Sequence, residues 1–264
     1  MGSSPFWLER LVRVVGPTRP PRPLGGRAWV VEAGTRTFVA KVGPGAQDEA
    51  DGLKQLHQVP GAPPVPEVVL VESDFLVTGL VAQASRGPEH EEALGRALAT
   101  LHRAPFGAWG GGSSWIGDCR VDPSLRPDGV AFYGARLREL GSRSKLDAVV
   151  GRVADRLPDL LPPGGPALLH GDLWWGNVLF GTDGRSWLID PSVHGGHPEE
   201  DLAMLALFGQ VPERLLRSYM EVRPMDTGWE NRVALFQLSP LLVHAVLFGD
   251  GYRAQAEVVA RRFA

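Results

Sequence analysis

Within the 264 residues, two short segments carry oxygen-bearing side chains at spacings suited to phosphoryl transfer. The first is His170-Gly171-Asp172-Leu173-Trp174-Trp175-Gly176-Asn177. An aspartate at the mouth of a strand can orient a hydroxyl nucleophile. An asparagine five residues on can hold a magnesium ion, because a tight loop returns both side chains to one point. The second segment, Ile189-Asp190-Pro191, offers another hard oxygen ligand, suited to Mg²⁺ bridging nucleotide phosphates. Upstream, Lys41 sits in the apolar run Phe38-Val39-Ala40-Lys41-Val42, where its ammonium needs a carboxylate or a phosphate to offset desolvation; Glu49 is a candidate partner. Lysine is scarce in this chain (Lys41, Lys54 and Lys145 only), so its placement is informative.

Singly, each residue has a plain structural reading. Asp172 can be a turn residue, Asn177 a strand-start cap, Asp190 an Asx-turn before proline, Lys41 a solvated edge charge and Glu49 a solvated helix face. The chemical reading rests on their joint presence, with His170 as a structural support of the loop.

The elements that must position these groups follow from pattern. Ser4 and Pro5 read as the N-cap and first position of a helix with Phe6, Leu8, Leu11, Val12 and Val15 on its apolar stripe. Residues 16–26, rich in proline and glycine, read as a connecting loop, with a PxxP-type ligand as the alternative. Residues 28–42 read as a hairpin turning at Ala33-Gly34-Thr35, with Lys41 on its second strand. A helix over 46–59, with acids in its first turn, precedes two more strands over 68–71 and 75–81. This order predicts a small antiparallel sheet with a helix against it. Beyond residue 82 the periodicity is helical, at 90–103, 129–140 and from 201 to the end. Only residues 167–190 break it: two apolar runs joined by Thr182-Asp183-Gly184-Arg185 read as one hairpin carrying Asp172, Asn177 and Asp190.

Composition narrows the partners. With 44% hydrophobic and 22% charged residues the chain falls in the ordinary globular class, and a net charge of −3 gives no positive field for nucleic acid or anionic lipid. The stretch 233–248 is interrupted by Gln237, Pro240 and His244, so no membrane span is expected. Glu9, Arg10 and Arg13 interrupt the first apolar run, against a secretory signal. The single cysteine, Cys119, excludes an internal disulfide framework and reads as an inert thiol; a cytoplasmic location is the expectation.

Taken together, these residues resemble the fructosamine kinase (ketosamine kinase) family. That family is a branch of the protein-kinase-like small-molecule phosphotransferases, which also include aminoglycoside and choline kinases. The likeness rests on HGDLW-x-GN at 170–177, on Asp190-Pro191 followed by Gly196-His197, Glu199 and Asp201-Leu202-Ala203-Met204, and on Leu247-Phe248-Gly249 with Gly251-Tyr252. It covers nearly the whole chain. The resemblance implies an α+β, two-lobed protein-kinase-like fold, with a small antiparallel-sheet nucleotide-binding lobe at 1–81 and a mainly helical catalytic and substrate lobe at 82–264. It implies ATP and Mg²⁺ as cofactors and a small-molecule ketosamine or glycated lysine as acceptor. By the same resemblance, Lys41 would contact the nucleotide phosphates and pair with Glu49. Gly79, Leu80 and Val81 would form a hinge holding adenine through backbone groups. Asp172 would act as base, Asn177 and Asp190 would bind Mg²⁺, and Trp174 would line the acceptor pocket.

Three features depart from the family pattern. The glycine stretch that covers the phosphates is shortened, since Gly25-Gly26 runs straight into Arg27-Ala28-Trp29. Trp175 stands where a small residue is usual, and His194-Gly195 where an aromatic pair is usual, so the acceptor pocket is expected to differ. These departures keep two rivals in view: a phosphotransferase acting on another hydroxylated amine such as an aminoglycoside, and a nucleotide-binding pseudokinase. A protein kinase is disfavoured, because only ten residues separate Asp190 from Asp201 and leave no room for a long activation loop.

Overall fold

The computed structural model describes residues 5–264. Helix α1 (Leu8–Val15) begins three residues after Pro5, with Trp7 at its N-cap and the Pro5 carbonyl accepting from Leu8 N–H. Pro5 is therefore not a first helical position, and the expected cap Ser4 lies outside the described residues. Five strands follow: β1 (Arg22–Gly25), β2 (Ala28–Ala33), β3 (Arg36–Val42), and, after helix α2 (Ala46–His57), β4 (Val68–Glu72) and β5 (Phe75–Gly79). They form one antiparallel sheet in the order β1-β2-β3-β5-β4, so β3 is central. The β2–β3 ladder closes at Ala33↔Arg36, and Gly34 takes the positive φ of +58° that this two-residue turn requires. Residues 22–25, expected to be loop, add the edge strand β1. Pro23 is tolerated there because an edge strand leaves one side of its ladder unpaired.

The strand period of two decides what Lys41 meets. Phe38 and Ala40 join Trp7, Leu11, Phe75 and Val77 in a core under α1. Lys41 is on the other face and pairs with Leu76, which packs with Leu53 and Leu56 of α2. The strand therefore delivers the lysine toward the helix that carries Glu49.

The rest of the chain is helical: α3 (Pro88–Leu101), α4 (Gly129–Arg143), α5 (Asp147–Leu160), α6 (Glu199–Leu205), α7 (Glu213–Val222), α8 (Trp229–Phe236), α9 (Leu238–Phe248) and α10 (Asp250–Phe263). Residues 229–248, in α8 and α9, are long and apolar enough by composition to cross a membrane, but Leu235, Leu238, Leu241 and Leu242 are buried in a core shared with α4, α5 and α10.

Three small ladders interrupt the helices: β6 (Trp115–Ile116) with β7 (Cys119–Arg120), β8 (Ala167–Leu169) with β11 (His194–Gly196), and β9 (Val178–Phe180) with β10 (Ser186–Leu188). The single hairpin expected over 167–190 is thus two ladders. The turn at 182–185 closes only β9 and β10. The run at 167–169 is buried and pairs instead with residues 194–196, because its partner edge is supplied from beyond Asp190.

Candidate active site

Lys41, Glu49 and Asp190 meet at one point. The Lys41 ammonium lies 2.8 Å from Glu49 Oε2 and 2.8 Å from Asp190 Oδ1. Burial would lower the Lys41 pKa, but the two carboxylates outweigh it and hold the ammonium above its ordinary value. Glu49 is pushed up to about 7, by burial first and against the opposing pull of Lys41. Asp190 follows β10 with φ +56°, a left-handed conformation that aspartate tolerates better than most residues and that turns the chain sharply before Pro191.

Asp172 and Asn177 sit in the loop from β8 to β9. Gly171 takes φ +80°, and a Cβ there would lie 2.0 Å from the Ser192 carbonyl oxygen, so only glycine lets the loop pass β11. A single three-residue helical turn, Trp175–Asn177, then brings the asparagine back. Asn177 Nδ2 donates to the Asp172 carbonyl at 2.8 Å and to its carboxylate at 3.3 Å, and no hydrogen bond to Asn177 Oδ1 occurs among the described residues. Burial, then the nearby Asp190 carboxylate, pushes Asp172 up to about 7. Buried His170 is held below its ordinary pKa; it donates Nε2–H to the Ile189 carbonyl and accepts the Asp172 N–H at Nδ1, tying this loop to the one that carries Asp190.

Asp201 braces the whole loop. Its carboxylate accepts the N–H groups of His170 and Gly171 at 2.8 and 2.9 Å and faces His102 Nε2 at 3.2 Å. His102 in turn takes the Tyr219 hydroxyl at Nδ1. Burial would raise Asp201, but these donors keep it below the usual carboxylate range. The sequence motif contains Asp201 without revealing this task. Glu199, Glu200 and Asp201 form the acidic first turn of α6, and all three are buried.

At the end of β5, Gly79 N–H donates to the Glu67 carbonyl and Leu80 N–H to the Thr37 carbonyl, whereas Val81 N–H has no partner among the described residues. Gly25 and Gly26 form the β1–β2 turn with open space around both, and the neighbouring Arg27 pairs with Asp118 beyond β6. A narrow cleft of about 20 Å³ lies beside Asp172, lined among others by Ile116, Glu200, Met204, Val243 and His244. Trp174 is not one of its lining residues: it is 40% exposed and stands edge-on to Phe208, which contacts His244. Trp175 also points elsewhere, under the Arg86 guanidinium at 4.0 Å, so the substitution at this position leaves the cleft alone. The His194 departure does reach it, because His194 Nε2 lies 3.2 Å from Glu200 Oε1.

Comparison with known proteins agrees with this geometry. A family model described as fructosamine kinase matches residues 27–263. The chain is 35% identical over 214 residues to the Thermus thermophilus protein named probable ketoamine kinase TTHA1179, covering 77% of each. It is 32% identical over 237 residues to a chloroplastic protein-ribulosamine 3-kinase of Oryza sativa subsp. indica, covering 82% of this chain and 68% of the relative. Among solved structures, a Thermobifida fusca YX-ER1 protein assigned as a fructosamine-3-kinase superposes with a TM-score of 0.87 at 34% identity over 98% of both chains. The choline kinase LicA of Streptococcus pneumoniae, at 14% identity, TM-score 0.64 and coverage of 97% and 96%, shares the fold alone.

Proposed function

Because the chain belongs to the fructosamine kinase family, we propose that it transfers the γ-phosphoryl group of ATP to a sugar hydroxyl of a ketosamine, such as a fructosyl- or ribulosyl-amine. The observation that carries the reading is the Lys41–Asp190 contact at 2.8 Å, which joins the sheet to the loop after β10, itself tied through His170 to the loop bearing Asp172 and Asn177. Residues 1–81 then serve as the nucleotide lobe and 82–264 as the catalytic and acceptor lobe.

In this reading Lys41 binds the nucleotide phosphates and is oriented by Glu49. The unpaired Val81 N–H, beside Gly79 and Leu80, is the donor available to an adenine edge. Asp172 accepts the proton of the acceptor hydroxyl as its oxygen bonds to the γ-phosphorus and the bond to the departing ADP oxygen breaks. Two carboxylates on one ammonium, the Asp172 carboxylate near Asp190, and an Asn177 Oδ1 without a hydrogen bond form a hard-oxygen set that fits Mg²⁺. Asn177 and Asp190 would hold the ion, which when bound neutralises charge on the phosphates. Trp174, on the exposed rim next to Asp172, offers an aromatic face to a cationic amine.

The test is ADP release with purified protein and Mg·ATP, comparing fructosyl-lysine, ribulosyl-lysine, an aminoglycoside and choline. Turnover of a ketosamine at least tenfold above the others is the expected result. Efficient aminoglycoside turnover with both ketosamines inert would overturn the acceptor assignment, and no ADP release with any acceptor would favour a pseudokinase.

A further inference from the structure

Helix α2 carries Glu49, yet it has no side-chain cap of its own. Its N-cap is Gly45, at φ +79°, so no side chain closes the first turn from that position. The turn is held from outside instead. Asp48, one residue before Glu49, presents a single carboxylate oxygen to Ser114, 66 residues further along the chain: Oδ2 accepts the Ser114 backbone N–H at 2.8 Å and the Ser114 hydroxyl at 2.6 Å. Hydrogen bonds to an ionised acceptor are roughly twice as strong as neutral ones, and two of them on one oxygen fix its position. The Trp115 ring closes the same contact. A Cβ on Gly45 would lie 3.1 Å from Trp115 Cδ1, so the indole packs directly on the N-cap backbone.

Ser114 is itself anchored to the loop that follows Asp190. Ser113 N–H donates to the Val193 carbonyl at 2.8 Å, and Ser192 Oγ donates to the Trp115 carbonyl at 2.7 Å. Ser192 N–H in turn donates at 2.8 Å to the carbonyl of His170, two residues before Asp172. The middle of α2 rests on the same loop: a Cβ on Gly52 would lie 3.0 Å from Val193 Cγ2 and 3.2 Å from Pro191 Cγ. With that contact as a pivot, the Asp48–Ser114 clamp sets the swing of the first turn, the end of the helix that brings Glu49 to Lys41.

We infer that Ser114 is a positioning residue: through Asp48 it holds the first turn of α2, and with it Glu49 and the Lys41 ammonium, in register with the loops that carry Asp190 and Asp172. This rests on the kinase reading above, in which Lys41 binds the nucleotide phosphates. The Ser114 side chain acts only through α2, so its loss should move nucleotide binding and leave acceptor binding alone.

The test measures Mg·ATP affinity by calorimetry, without acceptor, and KM for fructosyl-lysine at saturating ATP. The proteins compared are the parent, Ser114→Ala, Ser114→Thr and Asp48→Ala, and Glu49→Gln with and without Ser114→Ala. Ser114→Ala loses the hydroxyl and keeps the N–H, and should weaken Mg·ATP binding about 5- to 10-fold. Asp48→Ala loses the acceptor of both donors and should weaken it about 10- to 50-fold. KM for fructosyl-lysine should change less than twofold in either. Ser114→Thr restores the donor and should bind Mg·ATP within twofold of the parent. In the Glu49→Gln background Ser114→Ala should add less than twofold, because the group it positions is already gone. A clamp that only stabilises the fold would instead weaken binding equally in both backgrounds, or weaken nucleotide and acceptor alike. Either result, or an affinity within twofold of the parent in both Ser114→Ala and Asp48→Ala, would overturn the inference. A parent that binds Mg·ATP but phosphorylates no ketosamine refutes the acceptor assignment alone, and the calorimetry still decides the role of Ser114. A parent that binds no Mg·ATP removes the kinase reading and this inference with it.

Discussion

The Lys41 ammonium touches the Asp190 carboxylate at 2.8 Å, a contact that links the central strand of the sheet to the loop after β10. Glu49 holds the same ammonium from α2, so one cation offsets two carboxylates. Replacing Lys41 by Met leaves those carboxylates facing each other and removes a preorganised positive group from the proposed phosphate site. We expect kcat/KM for ATP to fall roughly 10²–10³-fold, the usual cost of deleting one such electrostatic group, with the far-ultraviolet circular dichroism unchanged. A fall of less than fivefold would dissociate Lys41 from the nucleotide.

Asp172 differs from Lys41 in what it is expected to touch. A base that accepts the acceptor's proton acts in the transition state and does not grip ATP. Asp172→Asn should therefore lower kcat by roughly 10²–10⁴-fold while Mg·ATP affinity, measured by calorimetry, moves less than threefold. A matching loss of nucleotide affinity would place Asp172 among the phosphate or metal contacts instead.

Much of this arrangement was legible in the sequence because it rests on local rules. The turn at Gly34 fixes the β2–β3 register, and that register with the strand period sets the face of Lys41. The spacing of Asp172 and Asn177 is that of one short loop. What escaped is non-local. No pattern within residues 167–169 says that they pair with 194–196 rather than with the nearer apolar run. The hairpin at 115–120, which brings Ile116 to the cleft and Ser114 to the Asp48 carboxylate at 2.6 Å, is too short to carry a periodic signal. Glu200 and Asp201 stand in a first helical turn, where acids are common, and only tertiary packing shows that Tyr133, His194 and His102 surround them.

Acid sensitivity offers a further check. His197, stacked on Phe236 with ring centroids 5.5 Å apart, is driven down to about 3 by burial, helped by Arg223 and Arg232. In the unfolded chain its pKa returns to about 6.5. Between those values the unfolded state binds the extra proton, so stability present above pH 6.5 is lost as pH falls. The expected contribution is about 2 kcal/mol lost at pH 5 relative to pH 8. His197→Phe keeps the stack and removes the titration, so urea denaturation should show a shallower decline over this range in the variant. Identical slopes in the two proteins would contradict a buried neutral His197.

Asp201 allows the bracing of the loop to be separated from nucleotide binding. Its two oxygens accept from His170 N–H, Gly171 N–H and His102, of which His170 and His102 are buried and Gly171 half-buried. An asparagine keeps the shape but has one acceptor oxygen, and it turns an NH₂ toward at least one N–H, leaving a buried donor unpaired. The cost of such a mismatch is about 1–3 kcal/mol per group, more where the lost partner was charged. Gly171 stands immediately before Asp172, so the displaced loop should misplace that carboxylate while Lys41 and Glu49 stay where the sheet and α2 put them. Asp201→Asn is thus expected to lower the urea-unfolding free energy by roughly 2–4 kcal/mol and kcat by at least tenfold, with KM for ATP changed less than threefold. Tyr219→Phe, one step further out, removes only the hydroxyl that donates to His102 and should show the same pattern at smaller amplitude. A variant that loses stability yet keeps full kcat would show that the loop holds its shape without the Asp201 carboxylate.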